Sequence, residues 1–476
     1  MKLLHTPRSL SFRFDDENLI GATGLVPVMG LAEHAGLIDL VNQWVHVPTD
    51  KGANPGVKVA SLIGGMLCGA DSISDMDWIR HGGMTTLFGA VYAPSTLGSF
   101  LRMFTHGHVS QLQAALTRFL HRVTRLGGVR VVTGPCEYAM VDIDDTMIET
   151  YGKNKQAARL NVHKKVHGLN VIIATLSGRD QAPLIVGQRL RNGATNGQRG
   201  ARSFVQSALR TTRTILGDDH CRVLLRADSG FTSTNVVHTA LHEGAHVSIT
   251  LRWFSPVVTA VSRIPDDAWT PITYPTAVQD PTTGTLITRA QIAETPYTMF
   301  SKKKVTKKDK DPTVTGRLIV RRNLDPTQHH MTTRGQDPFF DGWHYHAFFT
   351  TVPPEHMDTL TIDTIHRQHA IIEQVHADLK NSTLKHLPSN KFTANHAWLI
   401  LATTTYTLLR IAGTLTSTTL GKATTITLRH TLITIPARIA SSARKITLHL
   451  PHHWPWHTPW THLFTRCLSP PSPHTT

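Results

Sequence analysis

The stretch that decides the fold is Tyr138-Ala139-Met140-Val141-Asp142-Ile143-Asp144-Asp145-Thr146, because an apolar run ends here in three acidic residues. A short apolar run of this kind is typical of a buried strand, which we predict over Tyr138–Ile143. Side chains two residues apart on a strand share a face, so Asp142 and Asp144 should point one way and Asp145 the other. A carboxylate at the end of a buried strand can reach a metal ion while its backbone stays fixed. This spacing leaves both Asp142 and Asp144 open as the metal ligand.

The residues after this stretch alternate between predicted strands and helices. Further strands are predicted over Leu169–Leu176, Ala182–Gly187, Arg222–Ala227 and His246–Leu251. Helices are predicted over residues 199–216 and 232–243. Three strands followed by helix, strand, helix and strand is the order of a mixed α/β fold. The fourth strand leads into Asp228-Ser229-Gly230, and open α/β sheets bind ligands at such strand ends, so Asp228 is a second candidate ligand. A simple turn-forming role for Asp228 is the plainer alternative.

A third acidic candidate, Glu373, lies in a helix that we predict over residues 358–380. Residues three, four and seven apart share a helix face, which predicts one polar and one apolar stripe. The polar stripe contains His366, His369, Glu373, His376 and Lys380, and the apolar stripe contains Ile365, Ile372, Val375 and Leu379. One acid among basic groups suits a site that binds a metal through the acid and phosphates through the bases. The alternatives are a solvated charged face and a zinc site formed by the three histidines.

The rest of the chain divides into regions of different composition. Residues 1–135 are predicted to be helical, with Ser95 or Thr96 as the cap of one helix, and to bind DNA. Residues 136–251 are predicted to form the first part of the α/β core. Residues 252–352 are predicted to form a β-rich insertion with an exposed basic loop, Lys302-Lys303-Lys304-Val305-Thr306-Lys307-Lys308. The core helix with Glu373 lies in residues 353–393. Residues 394–476 are predicted to be helical, with a buried helix over Trp398–Leu415, and to end in a loose tail from residue 451.

Composition and charge favour a nucleic-acid partner. Among the 476 residues, 49 Lys and Arg outnumber 33 Asp and Glu, which gives a formal charge of +16. Such an excess attracts a polyanion such as nucleic acid or an anionic membrane surface. The four cysteines lack a CxxC pair, which argues against a disulfide framework and a structural zinc site and favours the cytoplasm. No apolar run is long enough for a signal peptide or a membrane span, so we expect no membrane association.

The sequence resembles the DDE transposases of bacterial insertion sequences, in the group with a β-strand insertion, and is most similar to insertion-sequence family 1380. The resemblance covers nearly the whole chain. The segments that carry it are GADSISDMDWIRHGGM (69–84), APSTLGSFLRMFTHGHVSQL (93–112), VDIDDTMIETYGKNKQ (141–156), LLRADSGF (224–231) and HAIIEQVHADLKN (369–381).

This resemblance implies a ribonuclease-H-like core with Asp144, in an Asp-x-Thr pattern, as first metal ligand and Asp228 as second. The larger group has a helix signature of Tyr, two residues, Arg, three residues, Glu, six residues and Lys. Glu373 and Lys380 fit this spacing, which implies Glu373 as third ligand, whereas His366 and His369 stand at the Tyr and Arg positions. If His369 replaces Arg as a phosphate donor, DNA binding should strengthen as the pH falls through about 6.5.

The expected function is therefore DNA transposition by two-metal phosphodiester hydrolysis and strand transfer, with two Mg²⁺ ions for which Mn²⁺ can substitute. Expected partners are double-stranded DNA, both the inverted repeats at the transposon ends and the target, and a second copy of the chain; the expected location is the bacterial nucleoid.

Trp253, Trp269 and Trp343 are candidates to stack a flipped base, and Lys302, Lys303, Lys304, Lys307 and Lys308 to contact phosphates. The alternatives are an inactive or domesticated transposase that only binds DNA, and a metal-dependent nuclease without strand transfer.

Overall fold

A computed structural model of the chain gives the fold as two compact units. One unit combines Met1–Val129 with Leu379–Thr476, and the other is Arg130–Asp378. The structure describes residues 1, 3–131, 137–152, 154–162, 164–177, 181–217, 221–272, 290–301, 312–324 and 342–468. The predicted basic loop Lys302–Lys308 lies outside the described residues.

The strands within the described residues are, in chain order, β1 (Leu19–Ile20), β2 (Tyr138–Glu149), β3 (Arg159–Asn161), β4 (Val166–Ser177), β5 (Leu184–Arg191), β6 (Arg222–Ala227), β7 (Ala245–Thr250), β8 (Thr270–Pro271), β9 (Ala290–Met299), β10 (Val314–Leu324), β11 (Trp343–Thr350), β12 (Ala437–Ser442) and β13 (Lys445–His449). The α-helices are α1 (Leu25–His34), α2 (Leu37–Trp44), α3 (Pro55–Cys68), α4 (Met84–Leu87), α5 (Pro94–Arg102), α6 (His106–Leu126), α7 (Ala201–Leu216), α8 (Thr234–His242), α9 (Ser255–Val261), α10 (Thr359–Arg367), α11 (Ile371–Lys380), α12 (Phe392–Thr416), α13 (Thr418–Lys422), α14 (Thr425–Leu428) and α15 (His457–Leu468).

The unit Arg130–Asp378 is built on one large mixed sheet. Five strands form its core in the order β5-β4-β2-β6-β7. β4 pairs antiparallel with both β2 and β5, whereas β6 runs parallel to β2 and to β7. Leu169, Val171 and Ile173 of β4 are all buried, as expected for a strand at the centre of a covered sheet. The predicted mixed α/β core of ribonuclease-H-like type is confirmed.

The strands of the predicted insertion extend this same sheet. β11 pairs antiparallel with β7, and β10, β9 and β8 follow in order, so the sheet has ten strands. Ile292, Ile319 and Phe348 from the added strands are buried in one cluster with Leu224 of β6. The inserted region therefore shares its core with the central strands. It also contains a short helix, α9, that the β-rich prediction did not include.

The region predicted as one helix over residues 358–380 consists of two helices. Asp358 caps α10 by accepting a hydrogen bond from the Thr361 N–H at 2.7 Å. A 3-10 turn over Gln368–Ala370 then separates α10 from α11. Because a 3-10 turn has fewer residues per turn, side chains before and after it leave a common stripe. The apolar residues Ile372, Val375 and Leu379 of the second helix are buried, as predicted.

The other unit is mostly helical, with α12 at its centre. Most side chains of α12 are buried, which confirms the predicted buried helix over Trp398–Leu415. Such a helix needs partners on every side, and its neighbours include α3 and α6 from the N-terminal region and α15 from the C-terminal region. The regions 1–135 and 394–476, predicted as separate, thus form most of one unit.

Two local predictions in this unit are wrong. Residues 451–476 were expected to be loose, but α15 forms there and buries Leu463 and Cys467. Ser95 or Thr96 was expected to cap α5, but the helix begins at Pro94 after Ala93, because proline at the first position already has a helical φ. No single helix of the described residues has the length and apolar composition to cross a membrane, although the bent pair α1 and α2 meets that test together.

Candidate functional site

The first two acidic candidates leave the sheet side by side. In the parallel pairing of β2 with β6, the last two matched pairs are Asp142 with Arg226 and Ile143 with Ala227. Asp144 and Asp228 are the next residues on the two strands. Asp228 caps a 3-10 turn, and its Oδ1 accepts a hydrogen bond from the Gly230 N–H at 3.0 Å. Two carboxylates therefore occupy equivalent positions on neighbouring strands.

The environment of Asp144 and Asp228 disfavours the charged form of both carboxylates. Burial raises the pKa of Asp144 to about 6; the Asp145 N–H hydrogen bond opposes this, while the negative charge of Asp228 adds to it. Burial likewise raises the pKa of Asp228, and the charge of Asp145 adds to this rise. Close like charges in a partly desolvated place favour the binding of a cation. The residues therefore fit a divalent metal ion.

Asp142 lies two residues earlier on β2 and has a different environment. Its side chain is fully buried, and the Arg226 Nε and Nη2 donate to its two oxygens at 2.7 Å each. The His369 ring Nδ1 is 2.8 Å from Oδ1 of the same carboxylate. Burial alone would raise the pKa of Asp142, but Arg226 and His369 lower it below its ordinary value. The Asp142 carboxylate therefore already has hydrogen-bond partners within the protein, Arg226 and His369.

Asp145 follows Asp144 on β2, and its side chain lines a cavity together with Asp228. Its carboxylate accepts hydrogen bonds from Lys164 at 2.5 Å and from Arg191 at 2.7 Å. Sequence reasoning did not select Lys164 or Arg191. No motif marks them, and each meets Asp145 only through the folding of a distant segment.

His366, the first histidine of the predicted polar stripe, is buried. Its ring lies 2.7 Å from the Ser248 hydroxyl and 3.1 Å from the Thr250 hydroxyl, and it stacks on Phe348 with ring centroids 4.0 Å apart. Burial, together with the nearby His369, lowers the pKa of His366 well below its ordinary value. A neutral, enclosed imidazole does not suit the expected phosphate contact.

Glu373 is exposed on α11 between two histidines that reach the aspartates. His376 Nδ1 is 3.5 Å from Asp144 Oδ2, and His369 contacts Asp142. Glu373 is three residues before His376 on α11, which places these two side chains on one face of the helix. Over the described part of the chain, no three His, Cys, Asp or Glu side chains are grouped closely enough to hold a metal ion. The three histidines of the zinc alternative contact different partners: His366 lies by two hydroxyls, His369 by Asp142 and His376 by Asp144.

A cavity of about 570 Å³ opens beside Asp228. Its lining includes two cations, Lys164 and Arg252, and two carboxylates, Asp145 and Asp228, with Lys164 paired to Asp145. The amide side chains of Asn196 and Gln198 also line it. Cationic and amide groups of this kind donate hydrogen bonds to phosphate and sugar oxygens. The cavity therefore suits a segment of an anionic polymer next to the acidic pair.

The three candidate tryptophans of the inserted region lie in one aromatic cluster. Trp253 is 48% exposed and stacks on Tyr345, with ring centroids 5.8 Å apart and planes 21° apart. Trp269 is 8% exposed and packs edge-on against Tyr345. The Arg322 guanidinium lies over the Trp269 and Trp343 rings at 4.2 and 4.5 Å. Of the three tryptophans, Trp253 presents the most accessible ring.

Comparison with known proteins gives one family match. The family described as Transposase DDE domain group 1 matches residues 4–470. A solved structure titled "Cryo-EM structure of piggyBac transposase synaptic complex with hairpin DNA" is similar to this chain at 11% identity and a TM-score of 0.41, over 87% of this chain and 81% of that one. No curated protein matches the chain.

Proposed function

The chain belongs to the DDE transposase family, domain group 1, and from this premise we propose that Asp144, Asp228 and Glu373 hold the divalent ions of a DNA transposase. The proposed reaction is the hydrolysis of a phosphodiester at the end of an insertion sequence, followed by strand transfer to a target. The observation that carries the proposal is that Asp144 and Asp228 directly follow Ile143 and Ala227, the last matched pair of two parallel strands.

Two observations favour Asp144 over Asp142 as the first ligand. Arg226 and His369 already satisfy Asp142, and its side chain is fully buried. Asp144 keeps 23% of its side chain exposed and lies near the charge of Asp228. A cation between Asp144 and Asp228 would relieve their repulsion, whereas a cation at Asp142 would compete with Arg226.

Mg²⁺ suits this site because it prefers carboxylate oxygens, and Mn²⁺ accepts the same ligands. When bound, such ions lower the pKa of water and offset charge on the leaving oxygen. The contribution of the chain is to fix Asp144 and Asp228 on buried strands and to present Glu373 on α11.

The DNA strand is proposed to enter the cavity beside Asp228. Lys164 and Arg252 would contact backbone phosphates there, since cations supply most of the sequence-independent affinity for DNA. Lys380, at the end of α11, and the basic loop Lys302–Lys308 are proposed as further phosphate contacts. His366 is left out because it is buried, and His369 because its Nδ1 faces Asp142.

The exposed pair Trp253 and Tyr345 is proposed to stack a base that leaves the duplex. Aromatic rings stack on bases of any sequence, which suits a site that holds a distorted DNA end. The helical N-terminal region is proposed to read the inverted repeats, and a homodimer to join the two ends in the bacterial cytoplasm.

One assay tests the proposal against its two alternatives. Purified protein with Mg²⁺ is given DNA that carries the inverted repeats flanking the reading frame, together with a target plasmid. Cutting and strand transfer are expected; cutting without transfer would favour a nuclease, and binding without cutting an inactive DNA-binding protein. Asp228→Ala should abolish cutting and leave DNA binding largely unchanged. Normal cutting by that variant would refute the assigned site.

A further inference from the structure

Three side chains, Asp142, Arg226 and His369, are hydrogen-bonded through Asp142. Each lies a few residues before one of the three proposed ligands in the chain. Asp142 precedes Asp144 by two residues on β2, and Arg226 precedes Asp228 by two on β6. His369 precedes Glu373 by four residues, across the start of α11. Asp142 and Asp144 share a face of β2, whereas Asp228 lies just beyond β6 and His369 lies in the 3-10 turn before α11. Asp142, Arg226 and His369 form one bonded layer, and each member lies within four residues of a proposed ligand.

The side chains of this layer are largely buried. Asp142 and Arg226 have almost no exposed surface, and His369 keeps 16% of its side chain exposed. The two Arg226–Asp142 bonds are 2.7 Å long and the His369–Asp142 bond is 2.8 Å. Arg226 Nη1 also donates to the Ile365 carbonyl of α10. Every bond joins different elements, so the layer ties β2, β6 and the α10–α11 region together.

We propose that Arg226, Asp142 and His369 are positioning residues that set the placement of Asp144, Asp228 and Glu373 for metal binding. This inference rests on the proposed function. Asp142 is the centre of the layer, because it contacts both Arg226 and His369. His369 is the link to α11 and thereby controls where Glu373 lies relative to the two strands.

The energetics favour a geometric role over a stabilising one. Removing two charges from water costs about as much as their attraction returns, so a buried ion pair adds little net stability. Short bonds with fixed angles do, however, restrict how neighbouring elements move. Groups that orient metal ligands typically change metal affinity or activity when they are replaced, by roughly 10- to 100-fold.

The position of His369 also accounts for the departure from the family signature. An imidazole stands where the larger group has arginine, and its Nδ1 faces inward to Asp142. The negative charge of Asp142 is already matched by the guanidinium of Arg226. The His369 imidazole adds one hydrogen bond to Asp142 and completes this layer without a second buried arginine.

The test uses the full chain and Mn²⁺ alone, with binding followed by electron paramagnetic resonance, and DNA cutting measured separately. His369→Ala should weaken Mn²⁺ binding and slow cutting, each by roughly 10- to 100-fold. His369→Asn, whose amide N–H can still donate to Asp142, should recover most of both. Gln374→Ala, an exposed neighbour on the same helix, is the matched control and should behave as wild type.

The outcomes separate this inference from the proposed function. Wild-type Mn²⁺ affinity in folded His369→Ala would overturn the positioning role, even if its melting temperature falls. Asp228→Ala should lose Mn²⁺ binding, and normal binding by that variant would overturn the proposed site itself. If His369→Ala does not fold, His369→Leu fills similar space without a donor. Equal Mn²⁺ affinity in His369→Leu and His369→Asn would then overturn the inference.

Discussion

Asp142 and Asp144 lie two residues apart on one strand and face the same side, yet their environments are opposite. Asp142 is enclosed and bound by Arg226 and His369, and its pKa is lowered. Asp144 is partly exposed and close to Asp228, and its pKa is raised to about 6. The first carboxylate is stabilised as an anion by the protein, whereas the second is left with an unfavourable charge. Unfavourable charge at a strand end is typical of a site that binds a cation.

The same contrast recurs in other residue types of this unit. Trp269 is buried beneath Tyr345, whereas Trp253 stacks on it from the exposed side. His366 is enclosed by hydroxyls and Phe348, whereas His376 reaches the partly exposed Asp144. Residue type therefore does not separate a structural from a functional group; the neighbouring groups do.

The largest expected effect is on DNA cutting by Asp144→Asn. Loss of one carboxylate that binds the metal should slow cutting by roughly 10³-fold or more, because charge stabilisation in the transition state is lost. Single-turnover cutting of an end substrate with Mg²⁺ measures this. Glu355→Gln, an exposed acid outside the proposed site, is the control and should cut normally. Near-normal cutting by Asp144→Asn would show that Asp144 is not a metal ligand, and its functional difference from Asp142 would then be refuted.

The next effect is on stability and has opposite signs for the two aspartates. Asp142→Ala leaves the Arg226 charge buried without its partner, which should lower the free energy of unfolding by about 3–5 kcal/mol. Asp144→Asn should instead raise that free energy at pH 7.5 without divalent metal, by on the order of 1–3 kcal/mol.

The sign for Asp144 follows from its raised pKa. Between its ordinary pKa and about 6 the folded state binds the extra proton, so the wild-type protein loses stability as the pH rises through this window. The asparagine variant lacks this loss. Urea unfolding at pH 4.5 and 7.5 measures the free energy of unfolding of both variants. Equal destabilisation by the two substitutions would contradict the opposite environments of Asp142 and Asp144.

The sequence predicts the central strands well because their signals are local. Arg222–Ala227 was predicted with the observed bounds, since an apolar run is closed by the turn at Asp228-Ser229-Gly230. β2 was predicted to end at Ile143 but continues to Glu149, because its acidic residues stay paired with β4. The different roles of Asp142 and Asp144 depend on Arg226 and His369, which are distant in the chain. No local pattern carries that information, nor the pairing of β11 with β7 that joins the insertion to the core.

A smaller effect is expected from the exposed half of the aromatic cluster. Trp253→Ala should weaken binding to DNA that contains an unpaired base by about 1–3 kcal/mol, the usual contribution of one stacked base. Binding to a fully paired duplex should change little. Trp456→Ala, an exposed tryptophan of the C-terminal region, is the control in a fluorescence anisotropy titration. An equal loss of affinity for both DNAs would show that Trp253 contributes through general contact and not through stacking.

The smallest effect concerns the buried His366 and the pH dependence of stability. Burial keeps its ring neutral in the folded state, whereas the unfolded chain takes up a proton below pH about 6.5. The stability contributed by this group is thus complete above that pH and is lost as the pH falls, by at most about 1.4 kcal/mol per pH unit. His366→Gln cannot titrate, so urea unfolding at pH 7.5 and 5.5 should show a smaller loss for the variant than for wild type. Other histidines titrate equally in both proteins, and their effects cancel in this difference. An identical pH dependence would mean that His366 is protonated inside the fold, and the contrast between His366 and His376 would then fail.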